Sequence, residues 1–322
     1  MSKTALITGI TGQDGYYLAK LLSGKGYRVV GMVRHLPHAT RSGLQRICSG
    51  IELRQGDLLD SSSLITLLEE SQPDEIYNLA AFSFVPTSWS QPVLTAELNG
   101  LGVCRLLEAV RLVNRQIKFF QASSSEMFGG ASISPQDEKT PFHPRSPYAV
   151  AKAYGHFLTV SYRESYDLFA CGGILFNHES PRRGEEFVTR KITSAAARIK
   201  LGLQSTLRLG NLESSRDWGF AGDSVRAMWL TLQQESPGDY VIGTGQAHTV
   251  AQFAEAAFRH LGLNWRDHVI FDPLLARSEP TSGAVADPSK ARQLLGWRPR
   301  ISFDEMVRQM VEADLALISQ SG

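Results

Sequence analysis

Three glycines spaced Gly-x-x-Gly-x-x-Gly, at Gly9, Gly12 and Gly15, separate a short apolar run from a helical pattern. The run is Ala5 to Thr8, and Tyr17, Leu18, Leu21 and Leu22 then recur at helical spacing. Strand, tight turn and helix in that order open a parallel βαβ unit. Gly24-Lys25-Gly26 stops the helix, and Arg28 to Val33 reads as the next strand. Further strands are expected at Glu75 to Asn78, Lys118 to Ala122 and Ala170 to Leu175, with helices between them such as Leu101 to Leu112. This alternation predicts an α/β chain whose residues 1–176 form a doubly wound parallel sheet of the Rossmann type.

From about Asn177 the rhythm changes. Pro181-Arg182-Arg183-Gly184 is a basic turn, and a helix is expected over Ile192 to Leu201. Asp287-Pro288 can cap and start a helix that ends at Gly296. Ser302 and Glu305 have capping-box spacing, and Phe303, Met306, Val307, Met310 and Val311 form one apolar stripe suited to core packing. Residues 177–322 are therefore expected to form a smaller mixed α/β lobe that completes one cleft, with part of 218–245 returning to the large sheet.

Charge and cysteine usage narrow the function classes. Basic and acidic residues number 33 and 32, for a net charge of +1, so no whole-protein field draws in nucleic acid or an anionic membrane. Cys48, Cys104 and Cys171 lie far apart without Cys-x-x-Cys spacing, which speaks against a disulfide framework and a cysteine zinc site. No apolar run approaches the roughly 20 residues of a membrane span. A cytoplasmic protein with no nucleic-acid or membrane partner is expected.

The glycine turn, placed between strand and helix, fits a pyrophosphate. Glycines leave room for the anion, and the amides of the helix N-terminus hold it. A tight turn alone would also use glycine, but its position so near the N-terminus favours a dinucleotide. An NAD site usually carries an acid at the end of the second strand, whereas Val29 to Val33 here runs into Arg34-His35. A guanidinium matches a 2′-phosphate, so NADP is favoured over NAD. Asp57 follows the third strand, where it can accept from an adenine amino group.

Tyr148 and Lys152 stand at i and i+4, on one face of a helix. A free tyrosine titrates near pH 10. A nearby ammonium favours the phenolate, and the pair is expected to bring the phenol toward neutral range. The strand beginning at Lys118 ends in Ser123-Ser124-Ser125-Glu126, and such strand ends face the ligand crevice of an open α/β sheet. Hydroxyls and a carboxylate there are hard to explain by packing, although serine and glutamate also suit a turn or cap.

On these residues the chain resembles the GDP-mannose 4,6-dehydratase family of the extended short-chain dehydrogenase/reductase superfamily. The likeness runs in order through Gly9–Gly15, Asn78-Leu-Ala-Ala81, Gln121–Glu126, Arg145–Lys152, Gly173–Pro181, Phe187–Lys191 and Arg216–Asp223. The glycine turn and the Tyr/Lys pair mark only the superfamily, while Asn177-His-Glu-Ser and Arg216-Asp-Trp-Gly-Phe are more particular. The resemblance implies oxidation of a hexose at carbon 4, loss of water across carbons 5 and 6, and return of hydride to carbon 6. Tyr148 would be the first base with Lys152 in support, Ser124 would bond the carbon-4 oxygen, and Glu126 would take the carbon-5 proton. It further implies that Gly9, Thr11, Gly12, Gln13, Asp14, Gly15, Arg34, Asp57, Leu58, Leu79, Ala80, Ala81, Ser83, Tyr148, Lys152, His178 and Arg183 line an NADP site. Ser83, Asn177, Val188, Lys191, Arg216 and Arg277 would contact a GDP-hexose. No metal is implied, and the assembly would be a homodimer or homotetramer.

Two other readings share these motifs. A nucleotide-sugar reductase or 4-epimerase would need the tyrosine but has less use for a second base. A non-catalytic dinucleotide sensor would need neither.

Overall fold

The computed structural model describes residues 2–35, 50–275 and 284–320. Strands run in chain order as β1 (Thr4–Thr8), β2 (Arg28–Val33), β3 (Glu52–Gln55), β4 (Glu75–Asn78), β5 (Lys118–Ser124) and β6 (Ala170–Leu175). They continue as β7 (Asn177–Glu179), β8 (Leu207–Leu209), β9 (Ser215–Phe220), β10 (Asp239–Ile242), β11 (Ala247–Thr249) and β12 (Val269–Phe271). Seven of them form one sheet in the order β10-β6-β5-β4-β1-β2-β3, with every pairing parallel. A parallel sheet needs helices on both faces, so its strands are apolar on both sides. Neighbouring residues accordingly enter opposite cores. Ile7, Tyr77 and Phe120 face the helices Gln13–Gly24 and Ala221–Leu232, through Leu18, Leu22, Val225 and Met228. Leu6, Ile76 and Phe119 face Ser61–Ser71 and Gly102–Val113, through Leu64, Leu67, Leu106 and Val110.

The remaining strands build a small mixed sheet, β11-β9-β7, and a two-stranded pair, β12-β8. Their core joins Trp218, Phe253 and Phe258 to Ile192 and to the stripe Met306, Val307, Met310 and Val311. Among the described residues, no helix is long and apolar enough to cross a membrane.

Four local features differ from expectation. β5 runs on to Ser124, because Ser123 and Ser124 still pair with Ile174 and Leu175 of β6. The helix expected from Leu101 is Gly102–Val113, preceded by a π-helical turn over Glu97–Leu101. The helix expected from Ile192 begins at Val188, which places Lys191 in its first turn. The capping box at Ser302 is half formed. Ser302 Oγ accepts from the Glu305 amide, but the Glu305 carboxylate turns to Arg308 at 2.7 Å. A guanidinium is a stronger donor than a backbone amide. A complete box sits instead at Thr249 and Gln252.

Buried polar groups hold the strand ends that carry the site. Thr8 Oγ1 donates to Asn78 Oδ1 at 2.7 Å and accepts from the amides of Leu79 and Ala80. Asn78 Nδ2 donates to Gln121 Oε1 at 2.8 Å. β1, β4 and β5 are thereby tied in register at their carboxyl ends.

Candidate active site

A cleft of about 940 Å³ opens at the carboxyl ends of the large sheet, between it and the small lobe. The glycine turn forms its floor. Gly9 has φ +69°, and a Cβ there would stand 2.8 Å from the Ala80 amide nitrogen. A Cβ on Gly15 would stand 2.4 Å from Gly9 O. Gly9 and Gly15 are thus required for close packing of turn, strand and helix. Gly12 differs, since a Cβ there would meet only Gly9 O, at 3.3 Å. No side chain caps the helix that begins at Gln13, so its first amides are available to an anion. Arg34 lies one residue past β2 at the exposed rim, and Asp57 and Leu58 line the cleft beyond it. These residues, with Thr11, Gln13, Leu79, Ala80, Ala81 and Ser83, fit a dinucleotide diphosphate and its adenosine half.

Asp14 and His178 join the turn to β7. His178 Nε2 is 2.8 Å from Asp14 Oδ2, and Nδ1 is 2.7 Å from Phe176 O. Both neighbours can accept, an arrangement that favours a proton on each ring nitrogen. Burial alone would push the imidazole down and the carboxyl up. Their mutual attraction wins, holding His178 above its ordinary range and Asp14 below.

Tyr148 and Lys152 lie on the helix Pro147–Tyr166, which Ser146 caps through the Ala149 amide at 3.1 Å. Both are buried rather than on the helix surface. Lys152 Nζ donates to Ala122 O at 2.8 Å, and the Ser124 hydroxyl lies near enough to Tyr148 to favour its phenolate. Ser124 Oγ also accepts from the Glu126 amide at 3.2 Å, at the start of the 3-10 turn Ser125–Met127. The expected lowering of the phenol does not occur in this geometry. Burial pushes Tyr148 up to about 12, with the nearby Ser124 hydroxyl and the Arg183 charge opposing and the Glu126 charge assisting. Burial pushes the Lys152 ammonium down to about 8. Enclosure disfavours both charged forms, and it outweighs their proximity.

Every site residue expected from sequence lines this one cleft, apart from Arg277, which lies outside the described residues. Asn177, Val188, Lys191 and Arg216 cover the small-lobe wall. Arg216 Nη1 donates to Ser215 O at 2.8 Å. Sequence reasoning missed Phe84, Glu179, Phe187, Asn211 and Trp218, which also line it. Glu179 and Phe187 fall within the motif segments, but nothing in their spacing distinguishes a wall residue from a core one.

The strand order, the glycine turn and the buried Tyr/Lys pair beside a strand end define an enzyme of the short-chain dehydrogenase/reductase class. The sequence model described as "GDP-mannose 4,6 dehydratase" matches residues 6–310. GDP-mannose 4,6 dehydratase 1 of Arabidopsis thaliana is 53% identical, covering 98% of this chain and 90% of that protein. The Homo sapiens GDP-mannose 4,6 dehydratase is 46% identical, covering 98% and 92%. The chain belongs to the GDP-mannose 4,6-dehydratase family. Among solved structures, dTDP-glucose 4,6-dehydratase from Bacillus anthracis superposes with a TM-score of 0.84 at 21% identity, covering 97% of this chain and 96% of that one. UDP-glucose 4-epimerase from Thermotoga maritima superposes with a TM-score of 0.86 at 24% identity, covering 98% and 99%. At that identity the two show a shared fold.

Proposed function

We propose that this protein dehydrates GDP-mannose to GDP-4-keto-6-deoxymannose, with NADP as a cofactor regenerated in each turnover. The observation that carries this reading is a second base, Glu126, in the same cleft as Tyr148 and close enough for its charge to act on the phenol. A reductase has use for one of these groups, whereas oxidation followed by elimination uses both.

Bound NADP⁺ supplies a hydride acceptor at carbon 4 and a donor to carbon 6. Tyr148 takes the carbon-4 hydroxyl proton while Ser124 holds that oxygen. The resulting ketone acidifies the carbon-5 proton, and Glu126 removes it. Hydroxide leaves carbon 6 as water. The two protons taken up by the side chains are returned, one to the leaving hydroxyl and one to carbon 5. Lys152, fixed on Ala122 O, supports the phenol from below.

Two features support the diphosphate's place. The helix Val188–Lys200 points an uncapped N-terminus at the cleft, and Lys191 and Arg216 add positive charge there. Arg34 supports a 2′-phosphate and hence NADP rather than NAD. The division into a dinucleotide unit, 1–176, and a substrate lobe is part of the same reading. So is a cytoplasmic setting, supported by Cys104 and Cys171, both free thiols. Incubation with GDP-mannose is expected to yield a product lighter by one water with no net reduction of cofactor. Net NADPH consumption, or an isomer of unchanged mass, would replace this reading with the reductase or epimerase.

Self-association belongs to the proposal as well. Val150, Tyr154 and Phe157 recur at i, i+4 and i+7 on the helix Pro147–Tyr166 and are 54%, 45% and 58% exposed. Trp89 and Val93, on short helices packed against it, are also exposed. Such a contiguous apolar surface fits a second copy of this chain. The double substitution Tyr154→Asp with Phe157→Asp is expected to reduce the mass measured by light scattering to that of one chain. An unchanged mass would place the interface elsewhere.

A further inference from the structure

One stack of side chains crosses the cleft. Phe84, from the segment after β4, meets Phe187, just ahead of the helix Val188–Lys200, with ring centroids 5.5 Å apart at 81°. On Phe187 lies Arg183, its guanidinium carbon 3.6 Å from the ring centroid. All three line the cleft.

Both ends of the stack are anchored. Arg183 Nε stands 3.1 Å from Glu179 Oε2, and Glu179 is 1% exposed and accepts from Thr189 Oγ1 at 2.6 Å. Arg190 Nη1 donates to the carbonyls of Pro181 and Arg183, and its Nε donates to Asp314 at 2.7 Å. On the other side, the buried Asn99 side chain accepts from the Phe82 amide at 2.8 Å and donates to the Phe82 carbonyl at 3.0 Å. The rings therefore join the large-sheet wall of the cleft to its small-lobe wall. Arg183, at one end of this bridge, lines the same cleft as Tyr148 and is near enough for its charge to act on the phenol.

We propose that the Phe84–Phe187–Arg183 stack closes the cleft over the reacting hexose and keeps the oxidised sugar with its reduced cofactor between the two hydride steps. Glu179 is the positioning residue that holds Arg183 against Phe187. The proposal rests on the dehydratase reading. That reaction is redox-neutral only if the electron pair removed from carbon 4 returns to the same sugar. A ketone that escapes leaves one NADPH behind and releases one proton, and the enzyme is stalled until it is reoxidised.

Phe84→Ala and Phe84→Tyr test this, alongside wild type with GDP-mannose. The alanine variant is expected to accumulate NADPH and release 4-keto sugar that has not lost water, while the tyrosine variant stays coupled. In a Tyr148→Phe background, which holds substrate without turning it over, Phe84→Ala is expected to raise the GDP-mannose dissociation rate by up to about tenfold. That is the size of change expected when one edge-to-face ring contact is lost. Glu179→Gln, whose amide can still accept from Thr189 but carries no charge for Arg183, is expected to leak in the same way to a smaller degree. Wild-type coupling and an unchanged dissociation rate in Phe84→Ala would overturn the proposal. So would a slower variant with no NADPH build-up, or equal leakage from the tyrosine variant. If the alanine chain fails to fold, Phe84→Leu is held to the same outcomes. A wild type that removes no water from GDP-mannose overturns the dehydratase reading itself, a result separable from any of these.

Discussion

Replacing Tyr148 by phenylalanine is expected to lower kcat by about 10²- to 10⁴-fold, the usual contribution of a positioned acid–base group. The substitution removes one oxygen and keeps the ring. Ser124 keeps its bond from the Glu126 amide, so the turn at the end of β5 holds its shape. Dinucleotide affinity, which the proposal assigns to the glycine turn and Arg34, should change little. A rapid-mixing trace should show no NADPH transient on adding GDP-mannose, because the block falls on the first hydride step. A variant that keeps a tenth or more of wild-type kcat would remove Tyr148 from the chemistry. The expected pH dependence has a definite sign. The buried phenol stands at about 12, so raising the pH favours its base form, whereas the buried ammonium at about 8 loses the charge that supports the phenolate once the pH passes that value. Activity should therefore climb from pH 6 toward pH 8 rather than peak in acid.

Glu126→Gln is expected to divide the reaction in two. The amide matches the carboxylate in size, and the Glu126 backbone stays fixed by its bond to Ser124 Oγ. Oxidation at carbon 4 needs only Tyr148 and should survive, so NADPH should form to about one equivalent per site. Removal of the carbon-5 proton loses its base, and overall turnover should fall by about 10²- to 10⁴-fold. Mass spectrometry of the quenched mixture should find the 4-keto sugar with its carbon-6 hydroxyl intact. Near-normal water loss by this variant would shift the second base to another group. Loss of the NADPH transient as well would mean that Glu126 acts before elimination. Opposite NADPH signals from Tyr148→Phe and Glu126→Gln would separate the roles of two residues that lie in one cleft.

Much of this was legible before any coordinates. Arg28–Val33, Glu75–Asn78 and Ala170–Leu175 were bounded correctly, because strands buried on both faces are continuous apolar runs between turn residues. The Ser-Ser-Ser-Glu segment was harder to bound. Serine reads as a turn former, yet Ser123 and Ser124 pair with β6 across the sheet. The partner strand, just over fifty positions away, sets that boundary.

The same distinction runs through the site. Residue type and local spacing point to the glycine turn, the Tyr/Lys pair and the segment Ser123–Glu126, each resting on chemistry confined to a few neighbouring positions, while it is the family resemblance that singles out Ser124 within that segment. That Tyr148 is harder rather than easier to ionise in this cleft could not be read from an i, i+4 spacing. Its titration answers to enclosure by elements distant along the chain. The pairing of His178 with Asp14 and the bridge from Phe84 to Phe187 are of the same kind. Their partners stand 164 and 103 positions apart, and only folding brings an acceptor to each ring nitrogen or one ring edge to another's face. Local pattern chose the elements and the reactive groups, and long-range packing, through burial and charge, set how those groups behave.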